Sequence, residues 1–313
     1  MWFKTTLRTE IPARPAERLF DEAFLRRLER LSLQPQRFLR GQPALGEHLS
    51  RRQLPATIFS DHRPYSAGDD YRYIDWNAYA HQEQIFVKLG EIEQNVPIHV
   101  LVDVSRSMQW GEWADGQPSK LRTALRLAAA LGYLTLSHND QLIVQPFGDT
   151  TLRRFGPARG KARLAELLRF LESLRSDQPT AIAQVLASHA AHYQRGGLLV
   201  LCSDLLTAEG LAEGLRMLPP PRWQVLVLHM IDPHELDPPA GETAELVDAE
   251  TGKRLQVTLD DQTLAVFRRN VASWQAEIRD ACGRHGAMYA QLPTTWPFER
   301  HVIPYLHARR ILR

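Results

Sequence analysis

The sequence predicts an α/β protein: a doubly wound, mostly parallel sheet with helices on both faces. Three observations predict it. Near-continuous apolar runs at Ile98 to Val102, Leu198 to Ser203 and Trp223 to Met230 read as strands buried on both sides. Stretches with apolar residues at helical spacing alternate with them: Leu121, Ala124, Leu125, Ala128 and Leu131, then Leu164, Leu167, Leu168 and Leu171, then the regions around Leu211 to Leu218 and Leu264 to Cys282. Carboxylates close two of the runs, at Asp103 and Asp204. In such sheets ligands bind outside the carboxyl ends of the strands, where the loops diverge.

Composition narrows the class. The 313 residues are 44% hydrophobic and 24% charged, the balance of an ordinary globular protein. A formal net charge of +2 gives no reason to expect a nucleic-acid partner. The two cysteines, Cys202 and Cys282, support neither a disulfide framework nor a thiolate metal site, which fits a reducing compartment. The opening M-W-F-K-T-T-L-R-T-E-I-P lacks the apolar core of a signal peptide. The longest uncharged stretches, near Leu127 to Leu136 and Leu198 to Cys202, are too short to span a bilayer. A cytoplasmic location without direct membrane insertion is the expectation.

In chain order, residues 1–15 read as an irregular arm. Leu19, Phe20, Ala23, Phe24, Leu28 and Leu31 then mark an amphipathic helix from Ala16 to Leu33, expected to pack on the main domain. Residues 41–94 follow, dense in alternating aromatic, acidic and basic residues, and end in the strand-like I-F-V-K-L-G-E-I-E. The expected division is 1–95 for the helix and this segment, packed on a main domain at 96–295, and 296–313 for a basic C-terminal helix. Within the main domain Ser119 can cap the helix that follows the polar loop Trp110 to Gln117. Gln141 to Phe147 is a strand with a short neighbour at Leu152 to Phe155, and Thr180 opens a helix running to His192. Two alternating runs around Thr251-Gly252 form a hairpin inserted at about 243–258, and Met288 to Leu292 is the last core strand.

The chemistry begins where the first long strand ends. In D-V-S-R-S, Asp103, Ser105 and Ser107 occupy alternate positions, so in an extended segment their oxygens point to one side. One carboxylate with two hydroxyls is a hard ligand set, suited to Mg²⁺ or Mn²⁺, or to Ca²⁺. D-x-S-x-S after an apolar strand resembles the metal-ion-dependent adhesion site (MIDAS) of von Willebrand factor type A domains. In that family a threonine from a second loop and an aspartate after a later strand complete the site; Thr180 and Asp204 stand in the matching order. The plainer alternative is that Ser105 and Ser107 cap a turn and Thr180 caps its helix. Capping and ligation compete for the same hydroxyl.

A longer motif precedes this strand. R-x-Y-x-x-G-D-D-x-R-x-I-D-W-N, at Arg63 to Asn77, followed by V-K, by E and by the D-x-S-x-S-M strand, resembles the family catalogued as domain of unknown function number fifty-eight (DUF-58). The resemblance runs from about Leu25 to Val257. It implies a bacterial protein with a von Willebrand type A-like domain, associated with MoxR-type AAA+ ATPases. It does not say what Arg63, Tyr65, Asp69, Asp70, Arg72, Asp75 and Trp76 do. Asp69, Asp70 and Asp75 can be read as a second metal or catalytic site. The preferred reading pairs them with Arg63 and Arg72, while Tyr65, Tyr71, Tyr73, Ile74 and Trp76 pack the segment, as a structural or partner-binding network.

Other chemistries find less support. There is no G-x-S-x-G nucleophile elbow. G-P-A-R-G-K at Gly156 to Lys161 is one residue short of a phosphate loop and lacks the hydroxyl after lysine. His189 and His192, three apart on a helix, lack a third ligand and read as surface residues. Asp103 after an apolar strand is also how aspartyl-phosphate enzymes begin, but the acid needed two residues on is Ser105 here. The expectation is therefore a non-enzymatic, metal-dependent protein-binding module, an adaptor between a MoxR-type ATPase and a client protein. A metal-independent interaction scaffold and a Mg-dependent phosphohydrolase are the alternatives.

Overall fold

The computed structural model divides into two compact units, Gln42–Asn95 and the remainder, Met1–Gly41 with Val96–Arg313. It describes residues 5–7, 19–20, 24, 26, 59–66, 71, 74–76, 78–79, 85–90, 97–109, 119–148, 153–175, 181–206, 209–236, 243–248, 254–296, 301–302 and 304–305.

The chain opens with a strand, β1 (Thr5–Leu7). In the smaller unit β2 (Phe59–Pro64) and β3 (Phe86–Gly90) pair antiparallel, with an irregularity in register between Phe59 and Asp61. Ile74 adds an isolated bridge to Val87, which is fully buried.

The larger unit follows the predicted alternation. Its elements are β4 (Ile98–Asp103), α1 (Lys120–Ser137), β5 (Leu142–Phe147), β6 (Phe155–Ala158), α2 (Leu164–Glu172), α3 (Ile182–His192), β7 (Gly197–Ser203), α4 (Leu211–Arg216), β8 (Trp223–Ile231), the short α5 (Pro233–Leu236), β9 (Thr243–Asp248), β10 (Arg254–Thr258), α6 (Asp261–Arg284) and β11 (Met288–Pro293). Among the described residues the main sheet has the order β11-β8-β7-β4-β5-β6. Its pairings are parallel except β5 with β6.

The apolar strands are buried on both faces because successive side chains alternate. Ile98, Val100 and Val102 of β4 join Val200, Leu226 and Leu228 against Ala124, Ala128 and Leu131 of α1 and Leu167 and Leu171 of α2. Leu101 joins Leu199, Leu201, Val225 and Val227 against Ile182 and Leu186 of α3, Leu215 of α4 and Trp274 and Ile278 of α6. Each fully buried leucine or valine contributes on the order of 2 kcal/mol, so the two layers dominate the stability of this unit. Phe20 and Phe24 are buried in the first layer, where Arg126 Nε donates to the carbonyl of Leu19 at 3.3 Å and its guanidinium lies over the Phe24 ring. Of Ala16 to Leu33, Leu19, Phe20 and Phe24 lie against this layer and Arg26 is exposed; the other positions lie outside the described residues.

Two expectations need correction. The opening arm is not wholly irregular, since β1 pairs antiparallel with β9, making the hairpin β9-β10 a three-stranded sheet. Thr5-Thr6-Leu7 is too short to show a period, and its partner is more than two hundred residues away, so local pattern carries no signal. The short neighbour of β5 begins at Phe155 rather than Leu152. Most of the expected terminal helix, and the loop Trp110 to Gln117, lie outside the described residues.

The topology fixes where a site can form. From β4 the chain moves to β5 and β6 on one side, then crosses back to β7 and onward to β8 and β11 on the other. The carboxyl ends of β4 and β7 therefore flank the switch point, where loops leave in opposite directions.

Candidate metal centre

Asp103 is the last residue of β4 and has no solvent exposure. Its Oδ1 accepts the Ser105 backbone N–H at 2.9 Å, and its Oδ2 accepts a short hydrogen bond from Ser203 Oγ. The chain then tightens into a 3-10 turn at Arg106–Gln109, which brings Ser105 Oγ and Ser107 Oγ to 3.1 Å from each other. Both serines are buried.

The facing strand supplies the other carboxylate. β7 ends at Ser203, and Leu205, two residues on, has φ +52°, a left-handed conformation that is costly for a residue with a branched side chain. It is held there from both sides. The Leu205 N–H donates to Ser203 Oγ at 3.0 Å, and Trp274 Nε1 of α6 donates to the Leu205 carbonyl at 3.1 Å. Asp204 lies between these two anchored residues and is itself buried. Asp103, Ser105, Ser107 and Asp204 are thus brought together at the switch point. Thr180 lies outside the described residues. The N-cap of α3 is Ala181, which offers no side-chain cap, so the cap is not where Thr180 was expected to supply it.

Sequence reasoning misses the residue that sets the charge of this rim. Lys120, the first residue of α1, is completely buried, and its Nζ lies 2.7 Å from Asp204 Oδ2 and 2.7 Å from Glu235 Oε1 of α5. Its place in the helix explains why it needs partners once it is buried. Ser119 caps α1 by accepting the Arg122 N–H at 3.1 Å, and a cation in the first turn is opposed by the positive end of the helix dipole. Buried there, this lysine is held by the two carboxylates it reaches.

The electrostatics follow from burial. Desolvation first, and the nearby Asp204 second, push the Asp103 carboxyl up to about 7, against the hydrogen bonds from Ser203 and Ser105. Desolvation likewise raises Glu235 to about 7, although Lys120 works to lower it. For Lys120 burial opposes the charge, but Asp204 and Glu235 outweigh it and hold the ammonium above the ordinary lysine range. Three carboxyl groups, Asp103, Asp204 and Glu235, and the hydroxyls of Ser105 and Ser107 stand around one ammonium. An oxygen-only donor set of this kind fits a hard divalent cation. No group of three or more histidine, cysteine, aspartate or glutamate side chains arranged to hold a metal occurs among the described residues. The fit therefore rests on the hydroxyls as much as on the carboxylates.

The other singled-out residues are more dispersed. Asp69, Asp70 and Arg72 lie outside the described residues, as does the side chain of Arg63. Asp75 is buried and caps a turn, its Oδ1 accepting the Ala78 N–H at 3.2 Å while its own N–H donates to the Phe86 carbonyl at 2.8 Å. Trp76, expected to pack, is 61% exposed and meets Tyr79 edge to face; Tyr71 and Tyr65 are exposed as well. His192 is exposed, but His189 is buried, contrary to the surface reading. It falls on the stripe of Ile182, Leu186 and Ala190 by which α3 packs on the sheet.

The family profile described as "Protein of unknown function DUF58" matches residues 61–277. Uncharacterized proteins of Mycobacterium bovis and Mycobacterium tuberculosis are 24% identical over 272 residues, covering 85% of this chain and 83% of theirs. Among solved structures, the conserved hypothetical protein BatB from Bacteroides thetaiotaomicron is 17% identical, with 69% of this chain and 98% of that chain covered at a TM-score of 0.35. An aerotolerance-related membrane protein from Bacteroides fragilis is 17% identical, covering 63% and 91% at a TM-score of 0.34.

Proposed function

The chain belongs to the DUF58 family, whose members are described as proteins of unknown function, and from that premise we propose that it is a non-enzymatic, metal-dependent protein-binding module of von Willebrand factor type A-like fold. The observation that carries this reading is the meeting of Asp103, Ser105 and Ser107 with Asp204 across the switch point. Asp103 and the two serine hydroxyls would hold a divalent cation, Mg²⁺ in the first instance and Mn²⁺ or Ca²⁺ otherwise, with Thr180 and Asp204 in support. Such an ion would supply Lewis acidity toward a glutamate or aspartate of a partner. The chain's own residues hold the side chains that would bind it: Ser203 orients Asp103, and the Leu205 turn flanks Asp204.

The partner in this proposal is a MoxR-type AAA+ ATPase, for which the protein acts in the cytoplasm as an adaptor during assembly or maturation of a client complex. No helix among the described residues is long and apolar enough to cross a membrane. Enzyme chemistry is disfavoured by Ser105, which stands where an aspartyl-phosphate enzyme needs its acid. The test is capture of the organism's MoxR-type ATPase by tagged wild type and by Asp103→Ala, with magnesium and with chelator. Capture by wild type in magnesium only, and loss in Asp103→Ala, is the expected result; equal capture in all four conditions overturns the metal's role.

A specific observation also favours a second reading, a metal-independent scaffold. Lys120 already supplies a cation to Asp204, and Ser203 and Ser105 already serve Asp103. Calorimetric titration separates the two readings. Heat of binding and a thermal shift with Mg²⁺ support the metal centre, and neither at millimolar ion supports the scaffold.

A further inference from the structure

We propose that Lys120 is the fixed cation of this rim: its ammonium neutralises Asp204, links it to Glu235, and so keeps the affinity of Asp103, Ser105 and Ser107 for an exchangeable divalent ion low. The inference rests on the proposed cation site and adds a residue that tunes it.

The lysine's charge goes to two carboxylates. Nζ is 2.7 Å from Asp204 Oδ2 and 2.7 Å from Glu235 Oε1, and its side chain has no solvent exposure. A purely structural role is a poor account of it. Burying an ammonium carries a large desolvation cost, and replacing a buried ion pair by an apolar side chain of similar volume is often neutral or stabilising. The helix terminus adds a further penalty for a cation. What Lys120 does that methionine would not is place a permanent positive charge beside one of the two aspartates.

Glu235 divides that charge. Its carboxylate sits on α5, directly after β8, and shares the ammonium with Asp204. Removing Lys120 therefore returns the full negative charge of Asp204 to the rim. Neutralising Glu235 has the opposite effect, because the ammonium then acts on Asp204 alone and one anion is lost. Two near-isosteric substitutions should move ion binding in opposite directions, a pattern that simple loosening of the fold does not produce.

The experiment is Mn²⁺ titration of the full chain, with free ion read by electron paramagnetic resonance and thermal unfolding followed in parallel, for wild type, Lys120→Met, Lys120→Arg and Glu235→Gln. Lys120→Met should bind Mn²⁺ at least roughly tenfold more tightly, since like charges a few ångströms apart repel by several times the thermal energy. It should also gain more thermal stability from the ion than wild type does. Lys120→Arg should stay within a few-fold of wild type, and Glu235→Gln should bind more weakly. Wild-type binding with unchanged or weaker binding by Lys120→Met overturns the inference and leaves the site standing. Absence of binding in every folded variant overturns the inference and the site together. If Lys120→Met does not fold, Glu235→Gln decides: unchanged or tighter binding overturns the inference.

Discussion

His189 Nε2 of α3 and His99 Nδ1 of β4 share a hydrogen bond of 3.0 Å inside the core, at the end of the sheet opposite to Asp103. The other His189 nitrogen meets Gln145 Oε1 at 2.9 Å, and Trp223 and Tyr193 pack around both rings. Desolvation lowers His99 to about 4. It lowers His189 to about 3, helped by the charges of His99, Arg154 and His192. Both rings are thus neutral in the folded chain at pH values where an unfolded histidine is protonated.

The sign of the resulting pH dependence is fixed. Between about pH 4 and 6.5 the unfolded chain binds more protons at these positions than the folded one, so their contribution falls as pH falls through that window. Each ring accounts for on the order of 3 kcal/mol when the window is fully crossed. Asp103 and Glu235, raised by burial, work the other way over part of the same range. The histidine contribution must be read by difference. Urea midpoints at pH 7.5 and pH 5 should fall further for wild type than for His99→Leu/His189→Leu; equal changes in the two proteins would show that the pair does not titrate on unfolding.

Ser203→Ala removes two hydrogen bonds with one atom. Asp103 Oδ2 loses its donor, and the Leu205 N–H loses its acceptor. Both groups are buried, and a charged acceptor left short of a donor is the more costly. A loss of about 2–3 kcal/mol in urea unfolding is expected. A loss below about 0.5 kcal/mol would mean that water or a neighbour replaces the hydroxyl.

Trp274→Phe tests the other anchor of the same turn. Phenylalanine fills most of the indole's volume but cannot donate to the Leu205 carbonyl, which then stays buried without this donor. The expected cost is about 1–3 kcal/mol. Hydrogen exchange should show faster opening at residues 203–206 than elsewhere in the sheet. Uniform acceleration across β7 would instead indicate general loss of packing by α6.

Much of this was legible because a parallel sheet buried on both faces writes itself as apolar runs. β4, β7 and β8 end within a residue or two of where those runs stop, and the carboxylates that close two of them meet in space. Ser119 caps α1 as its position suggests. Lys120 was illegible for a physical reason. A charged residue at the start of a helix looks like a solvated one, and its partners lie 84 and 115 positions away on other elements. His189 was read as a surface residue because no third metal ligand accompanies it, whereas the stripe through Ile182 and Leu186 already placed it inward. β1 escaped because three residues cannot show a period.

Trp76 offers a clean separation between the metal centre and the aromatic segment as the docking element. Its ring is 61% exposed and touches Tyr79 edge to face, so Trp76→Ser removes surface without opening a core. Stability should change by no more than about 0.5 kcal/mol, as for other exposed positions. An exposed aromatic pair is nevertheless the kind of anchor on which a binding surface depends most, and truncating such an anchor costs about 2 kcal/mol or more of affinity. If the scaffold reading holds, Trp76→Ser should abolish capture of the ATPase while Asp103→Ala retains it. If the metal centre carries docking, the two variants should exchange roles, with Trp76→Ser capturing as wild type does in magnesium.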